Sequence, residues 1–270
     1  MTQDWRCRIG LPWQDSLGDW RNLGDRCGNR SSAGRGRANV VVAGRNEGAA
    51  RELCHEISGE DRQATYVLGD VVDPEFAAAA VSASESRFGG LHVLVNAAGA
   101  IIRGTVGETS DDEWNRMMSV NVTGTFFMSR AAIPALRRSG GGSIVNLGST
   151  AGLFGCPDLA AYCAGKGAIV NLTRAMALDH AHESIRVNAI APSWVDTEMN
   201  EGYLARIPDR AAAERQLCSL HPLGWIGSPS DIGDVAVWLA GGQSKFVTGQ
   251  VIRVEGGRMA KLPLPAAFNV

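Results

Sequence analysis

The sequence predicts a doubly wound α/β fold, a parallel sheet with helices on both faces in three layers, and three observations predict it. Short apolar, β-branched runs recur along the chain, at 40–43, 65–68, 92–95, 143–146, 185–188 and 250–254, and each reads as a buried strand. The segments between them carry helix-start punctuation: Asp73 before Pro74, Ser110 three residues ahead of Glu113, and Ser228 before Pro229. Strands that return after an intervening helix can pair only through crossover connections, which makes the sheet parallel.

This order of elements is Rossmann-like, and it places ligands at the carboxyl ends of the strands. It holds from Asn39 onward. Residues 1–39 contain no valine and residues 1–46 no glutamate, while three of the seven tryptophans fall in the first 20 positions. The chain therefore divides into an atypical segment, 1–38, expected to be poorly ordered, and a Rossmann-like domain, 39–270, whose first strand is expected to be missing or degraded.

Composition narrows the function. At 270 residues and 45% apolar content there is ample material for one buried core. A formal charge of -2 leaves no extended basic field, so nucleic acid is not the expected partner and a small molecule is. Six cysteines without a C-x-x-C pair and five histidines without H-x-x-x-H spacing give no metal site and no disulfide framework. With no run of about 18 apolar residues and no signal-like stretch, no membrane partner is expected and the expected location is cytoplasmic.

Tyr162 and Lys166 stand four residues apart on a helix predicted over 158–180, one above the other on the same face. A free phenol titrates near ~10 and needs a nearby cation to work as an acid or base at neutral pH. The chain has only three lysines against 23 arginines, and a lysine can share a proton where an arginine cannot. Ser149 lies thirteen residues before Tyr162, just past the strand that ends at 146.

A serine, thirteen residues, then Tyr-x-x-x-Lys after a strand resembles the active site of the short-chain dehydrogenase/reductase family. Further segments match in order. Asn96-Ala97-Ala98-Gly99 resembles the family's N-N-A-G element, with alanine for its second asparagine, and Asn121-Val122-Thr123-Gly124 its catalytic-asparagine segment. Pro192-Ser193-Trp194-Val195-Asp196-Thr197 resembles P-G-x-x-x-T with serine in place of glycine, and Glu255-Gly256-Gly257 the turn after the last strand.

The resemblance implies alcohol–carbonyl interconversion by hydride transfer. Tyr162 would exchange a proton with the substrate oxygen and Ser149 would hydrogen-bond that oxygen. Lys166 would lower the phenol pKa and hold the nicotinamide ribose, and Asn121 would support a relay water. Asp70, Val71, Asn96, Ala97, Gly99, Val195 and Thr197 would line the cofactor, the last two at its carboxamide. A homodimer or homotetramer packed through helices near 111–137 and 158–180 is also implied. The alternative class is a non-catalytic nucleotide-sensing or interaction protein of the same fold.

Arg45 points to the nucleotide. At the end of the 40–43 strand an NAD site offers a carboxylate to the ribose hydroxyls, whereas an arginine receives a 2′-phosphate. Gly44-Arg45-Asn46 favours NADP over NAD.

The family's glycine-rich loop, T-G-x-x-x-G-x-G, is absent from its place some twenty residues before Val40. Read one nucleotide forward, however, Trp13 and Trp20 become obligatory glycines, and Asp15, Asp19, Asn22 and Asp25 become threonine or isoleucine. Residues 13–26 can then encode a family first strand and its glycine loop. The expectation is that residues 1–37 stand in a shifted reading frame.

Overall fold

The computed structural model of the chain describes residues 8–13, 38–59 and 63–260. Its strands are β1 (Arg8–Trp13), β2 (Asn39–Gly44), β3 (Ala64–Leu68), β4 (Val93–Asn96), β5 (Gly142–Leu147), β6 (Ile185–Pro192) and β7 (Val251–Val254). They form one sheet in the order β3-β2-β1-β4-β5-β6-β7, and every neighbouring pair is parallel. The helices are α1 (Glu47–Ile57), α2 (Pro74–Phe88), α3 (Asp111–Met118), α4 (Gly124–Arg138), α5 (Ala160–His180), α6 (Glu198–Leu204), α7 (Arg210–Leu220) and α8 (Pro229–Ala240).

Two apolar layers flank the sheet because consecutive strand residues point to opposite faces. Val93 and Val95 join Ala50 and Ile57 of α1 and Ile232, Ala236 and Val237 of α8 on one side. Leu94 joins Phe76 and Val81 of α2, Met128 and Leu136 of α4, and Met176 of α5 on the other. The helix starts follow the sequence: Asp73 accepts from Glu75 N, and Ser110 with Glu113 and Ser228 with Asp231 close full capping boxes. No helix among the described residues is long and apolar enough to cross a membrane.

Of the two expectations for the first strand, missing or degraded, the structure sets aside only the former: a strand is present. β1 occupies the centre of the sheet, its Arg8–Trp13 facing Asn39–Gly44 of β2, with Ile9 and Gly10 facing Val93 and Leu94 of β4. A ladder is made by backbone N–H and C=O groups, so an extended segment fills the slot between β2 and β4 whatever its side chains, and Pro12 is the one position that cannot donate. The pattern search missed it because Arg-Ile-Gly-Leu-Pro-Trp holds a single β-branched residue. Residues 14–37, where the shifted-frame loop falls, lie outside the described residues.

The chain runs β1 to β2 to β3 in one direction and returns to β4 on the other side of β1. That reversal opens a crevice at the carboxyl ends of the central strands, where an open parallel sheet binds its ligand.

Candidate active site

Three of the four predicted catalytic residues, Ser149, Tyr162 and Lys166, meet in one cleft lined also by Gly99, Ala100, Ser193, Val195 and Thr197; Asn121 stands one hydrogen bond behind it, on Ala100. Ser149 leaves β5 in extended conformation and its Oγ accepts from Ala151 N at 3.1 Å, starting a short 3-10 turn over Thr150–Gly152. That turn lies directly on α5: a Cβ on Gly152 would sit 2.6 Å from the Lys166 carbonyl, so only glycine lets Ser149 approach the helix this closely. Ser149 is thereby held beside Tyr162, and both line the same cleft.

Lys166 is 5% exposed. Its Nζ donates to Leu147 O at 2.7 Å and lies 5.8 Å from the centre of the Tyr162 ring. An ammonium carries three donors, so two remain beyond the bond to Leu147. Burial draws its pKa down from 10.5 to about 8. The Tyr162 phenol moves the other way: burial raises it, the Ser149 hydrogen bond lowers it, and the Cys163 and Cys156 thiols add smaller upward pushes. In the chain alone, then, burial outweighs the cation that the resemblance assigns to lowering this phenol.

Asn121 sits in a π-turn, Ser119–Thr123, between α3 and α4. Such a turn releases one backbone carbonyl from the helix, and Thr125 Oγ1 donates to Asn121 O at 2.9 Å. The side chain is 1% exposed and clamps Ala100 on both sides, Oδ1 accepting from its N at 3.0 Å and Nδ2 donating to its O at 2.9 Å. Gly99 separates Asn121 from the lysine: a Cβ there would lie 3.1 Å from Asn121 Oδ1 and 3.5 Å from Lys166 Nζ. Those two groups therefore lie within about 7 Å of each other, on either side of Gly99.

Asn96 and Asn146 belong to a buried ladder that sequence reasoning only half found. Asn96 Nδ2 donates to Ser129 Oγ at 3.0 Å and to Asn146 Oδ1 at 2.9 Å, and Asn146 Nδ2 donates to Thr173 Oγ1 at 2.9 Å. It ties β4, β5, α4 and α5 together beneath the cleft. Asn146 carried the one available signal, an amide inside an apolar strand.

The remaining predicted residues divide. Ala97 and Gly99 line the cleft, and Val195 and Thr197 form its β6 wall. Val195 O accepts from Asn200 Nδ2 at 2.7 Å. Arg45 and Asp70 lie apart from the cleft lining, at the ends of β2 and β3, joined at 3.4 Å. The Val71 side chain is core, 1% exposed, which leaves only its backbone to meet a ligand. Missed altogether were His221 and Arg258, which meet at Ser193; the serine standing where glycine is usual was their signal. Among the described residues no group of three or more His, Cys, Asp or Glu could hold a metal ion.

A buried Ser–Tyr–Lys cleft at the switch point of a parallel sheet defines an oxidoreductase of the dinucleotide-binding α/β class. The comparisons give its family. The family described as enoyl-(acyl carrier protein) reductase matches residues 31–258. The inactive 2-(S)-hydroxypropyl-CoM dehydrogenase 2 of Xanthobacter autotrophicus is 41% identical over 85% of this chain and 98% of its own. The trans-4-hydroxycyclohexanecarboxylate dehydrogenase of Sinomonas cyclohexanicum is 38% identical over 83% and 84%. A short-chain type dehydrogenase/reductase from Mycobacterium ulcerans superposes with a TM-score of 0.82 at 26% identity, covering 94% of this chain and 90% of that one. The chain belongs to the short-chain dehydrogenase/reductase family; it is an oxidoreductase that uses a nicotinamide nucleotide on a small-molecule substrate.

The residues present fit that nucleotide at its nicotinamide end. The space beside Gly99, which a Cβ would crowd, and the two unspent donors of Lys166 suit a ribose. The segment expected to hold the pyrophosphate lies outside the described residues.

Proposed function

We propose that the protein interconverts a secondary alcohol and a ketone by hydride transfer with NADP, Tyr162 acting as acid and base. The observation that carries this reading is the convergence of Ser149, Tyr162 and Lys166 on one cleft, with Lys166 Nζ 5.8 Å from the centre of the Tyr162 ring. The nucleotide, when bound, supplies or accepts the hydride. Ser149 holds the substrate oxygen against the Tyr162 hydroxyl, and the phenol gives that oxygen a proton in reduction or takes it in oxidation. Lys166 binds the ribose with its free N–H groups, and Asn121 orients the water that returns a proton toward Lys166.

The relatives support an alcohol substrate, since their names include cyclohexanol dehydrogenase of Acinetobacter and the hydroxycyclohexanecarboxylate enzyme. Arg45 supports NADP. Half-exposed apolar side chains on two helices, Trp114 and Phe126, with Leu178 further out, support a homodimer or homotetramer. A cytoplasmic location and the division at residue 38 belong to the same reading.

The test is titration with NADPH and NADH followed by turnover of a panel of alcohols and ketones. Saturable binding and turnover are expected, with Tyr162→Phe losing about 10²- to 10⁴-fold in kcat. Binding without turnover in the unaltered protein would establish the nucleotide-sensing alternative, a reading to which the word "inactive" in one relative's name lends weight. We also propose the shifted frame over residues 1–37; an unbroken frame in the coding DNA of this chain and of its near relatives overturns it.

A further inference from the structure

Ser193, where the family pattern has glycine, lines the cleft on the β6 side and joins two residues from distant parts of the chain. His221 Nε2 lies 3.1 Å from Ser193 Oγ, and Arg258 Nη1 donates to the same oxygen at 3.1 Å. His221 is 3% exposed, and its Nδ1 stands 2.7 Å from Leu217 O. A carbonyl oxygen can only accept, so Nδ1 carries the proton. In the neutral ring Nε2 is then an acceptor, and the Ser193 hydroxyl proton points to it. The lone pairs of Oγ are left for Arg258, so the imidazole fixes the serine and the serine fixes the guanidinium.

Arg258 is partly buried and makes no ion pair with a described residue. Glu255, the nearest carboxylate in sequence, instead accepts from Met259 N at 2.6 Å. Of the five N–H groups a guanidinium carries, Ser193 takes one. Among the described residues most of its donors are unspent, and a guanidinium presents its donors as a fork that matches an oxyanion.

We propose that Arg258, positioned by Ser193 and His221, receives an oxyanion carried by the substrate, so that the alcohol or ketone turned over here bears a carboxylate or sulfonate away from the reacting carbon. This rests on the oxidoreductase reading for the word substrate, but not for the binding it predicts. The anion is not the nucleotide's 2′-phosphate. Arg45 follows β2 and Ser193 follows β6, four strand spacings apart in the sheet, or about 19 Å. Tyr162, Ser149 and Ser193 line one cleft, and Arg258 stands one hydrogen bond behind Ser193, so a substrate that presents its oxygen to Tyr162 and Ser149 would direct a charged end past Ser193 to Arg258.

The test is calorimetric binding to the full chain, with NADP present and absent, of two probes that differ by one charge: cyclohexanecarboxylate and cyclohexanecarboxamide. The carboxylate is expected to bind about tenfold more tightly than the amide, the value of one charge-assisted contact, and the preference should shrink with added salt. Arg258→Met should remove the preference while amide binding persists. Arg258→Lys, the milder change, should keep part of it, and Ser193→Ala should reduce it by loosening the guanidinium. Equal binding of the two probes, no measurable binding of the carboxylate, or a preference that survives Arg258→Met overturns the proposal. Because calorimetry needs no turnover, a failure of the oxidoreductase reading would be seen separately, as a protein that binds NADPH and oxidises or reduces nothing.

Discussion

At the β4–β5 side of the cleft Asn96, Asn121 and Lys166 are buried and each is tied to fixed partners. At the β2–β3 edge Arg45 and Asp70 stand in solvent, 48% and 34% exposed, and hold mainly each other. The difference is one of cost. A buried polar group left unpaired loses about 1–3 kcal/mol, so the first region is forced into a single hydrogen-bonded arrangement before any ligand arrives. An exposed ion pair is worth about 0–1 kcal/mol, so the second can rearrange around whatever phosphate or ribose it meets. In the proposed reading, chemistry that needs sub-ångström placement sits in the first region, and discrimination between nucleotides is left to the second.

The sharpest way to break this comparison is through Lys166. Its pKa falls from 10.5 to about 8 on burial, so between those pH values the unfolded chain binds the proton and the folded chain does not. The folded state bears the full cost of the buried charge below about pH 8, and the contribution of this group rises as pH climbs from about 8 to 10.5, by about 3 kcal/mol in total. The raised pKa values of Cys54 and Tyr162 act in the opposite sense in both proteins, so the difference in urea-unfolding stability between the wild type and Lys166→Met should shift in favour of the wild type by that amount across the range. Parallel profiles would mean that water reaches Nζ and that the region is not preorganised by burial.

A smaller effect is expected one layer deeper. Asn146→Ala removes the acceptor for Asn96 Nδ2 and the donor to Thr173, and should cost about 2 kcal/mol by chemical denaturation. Activity should fall with it, because the ladder joins β4 and β5 to α5, which carries Tyr162. Restoration of stability by Asn146→Asp at acidic pH, where a protonated carboxyl can both donate and accept, would identify the hydrogen bonds rather than volume as the cause.

What was legible in the sequence follows the same division. Tyr162 and Lys166 were readable because helix geometry turns a spacing of four into a shared face, whereas the roles of Ser149 and Asn121 came from the resemblance of their segments. Six strands announced themselves by β-branched runs, as buried parallel strands do. β1 did not, because Arg8–Trp13 holds a single β-branched residue, while its pairing with β2 and β4 uses backbone groups that every residue but proline carries. The link between Ser193, His221 and Arg258 spans 28 and 65 positions, a distance over which no periodicity speaks. The Tyr162 phenol shows the limit from the other side: the lysine one turn away suggested a lowered pKa, yet burial, which spacing does not reveal, raises it.

The mildest prediction addresses the exposed region directly. Arg45 Nη1 is 3.4 Å from Asp70 Oδ2, too long for a strong charge-assisted bond, so the guanidinium can leave Asp70 for a 2′-phosphate at little cost. Arg45→Ala should weaken NADPH binding about tenfold and leave NADH binding near its starting value, with the loss diminishing as salt is raised. Asp70→Asn should act in the opposite sense on NADPH, since it removes the carboxylate that competes for Arg45 and repels the phosphate. If both substitutions shift NADPH and NADH equally, the edge of the sheet does not read the 2′ position at all. Discrimination between the two nucleotides would then have to come from elsewhere in the chain.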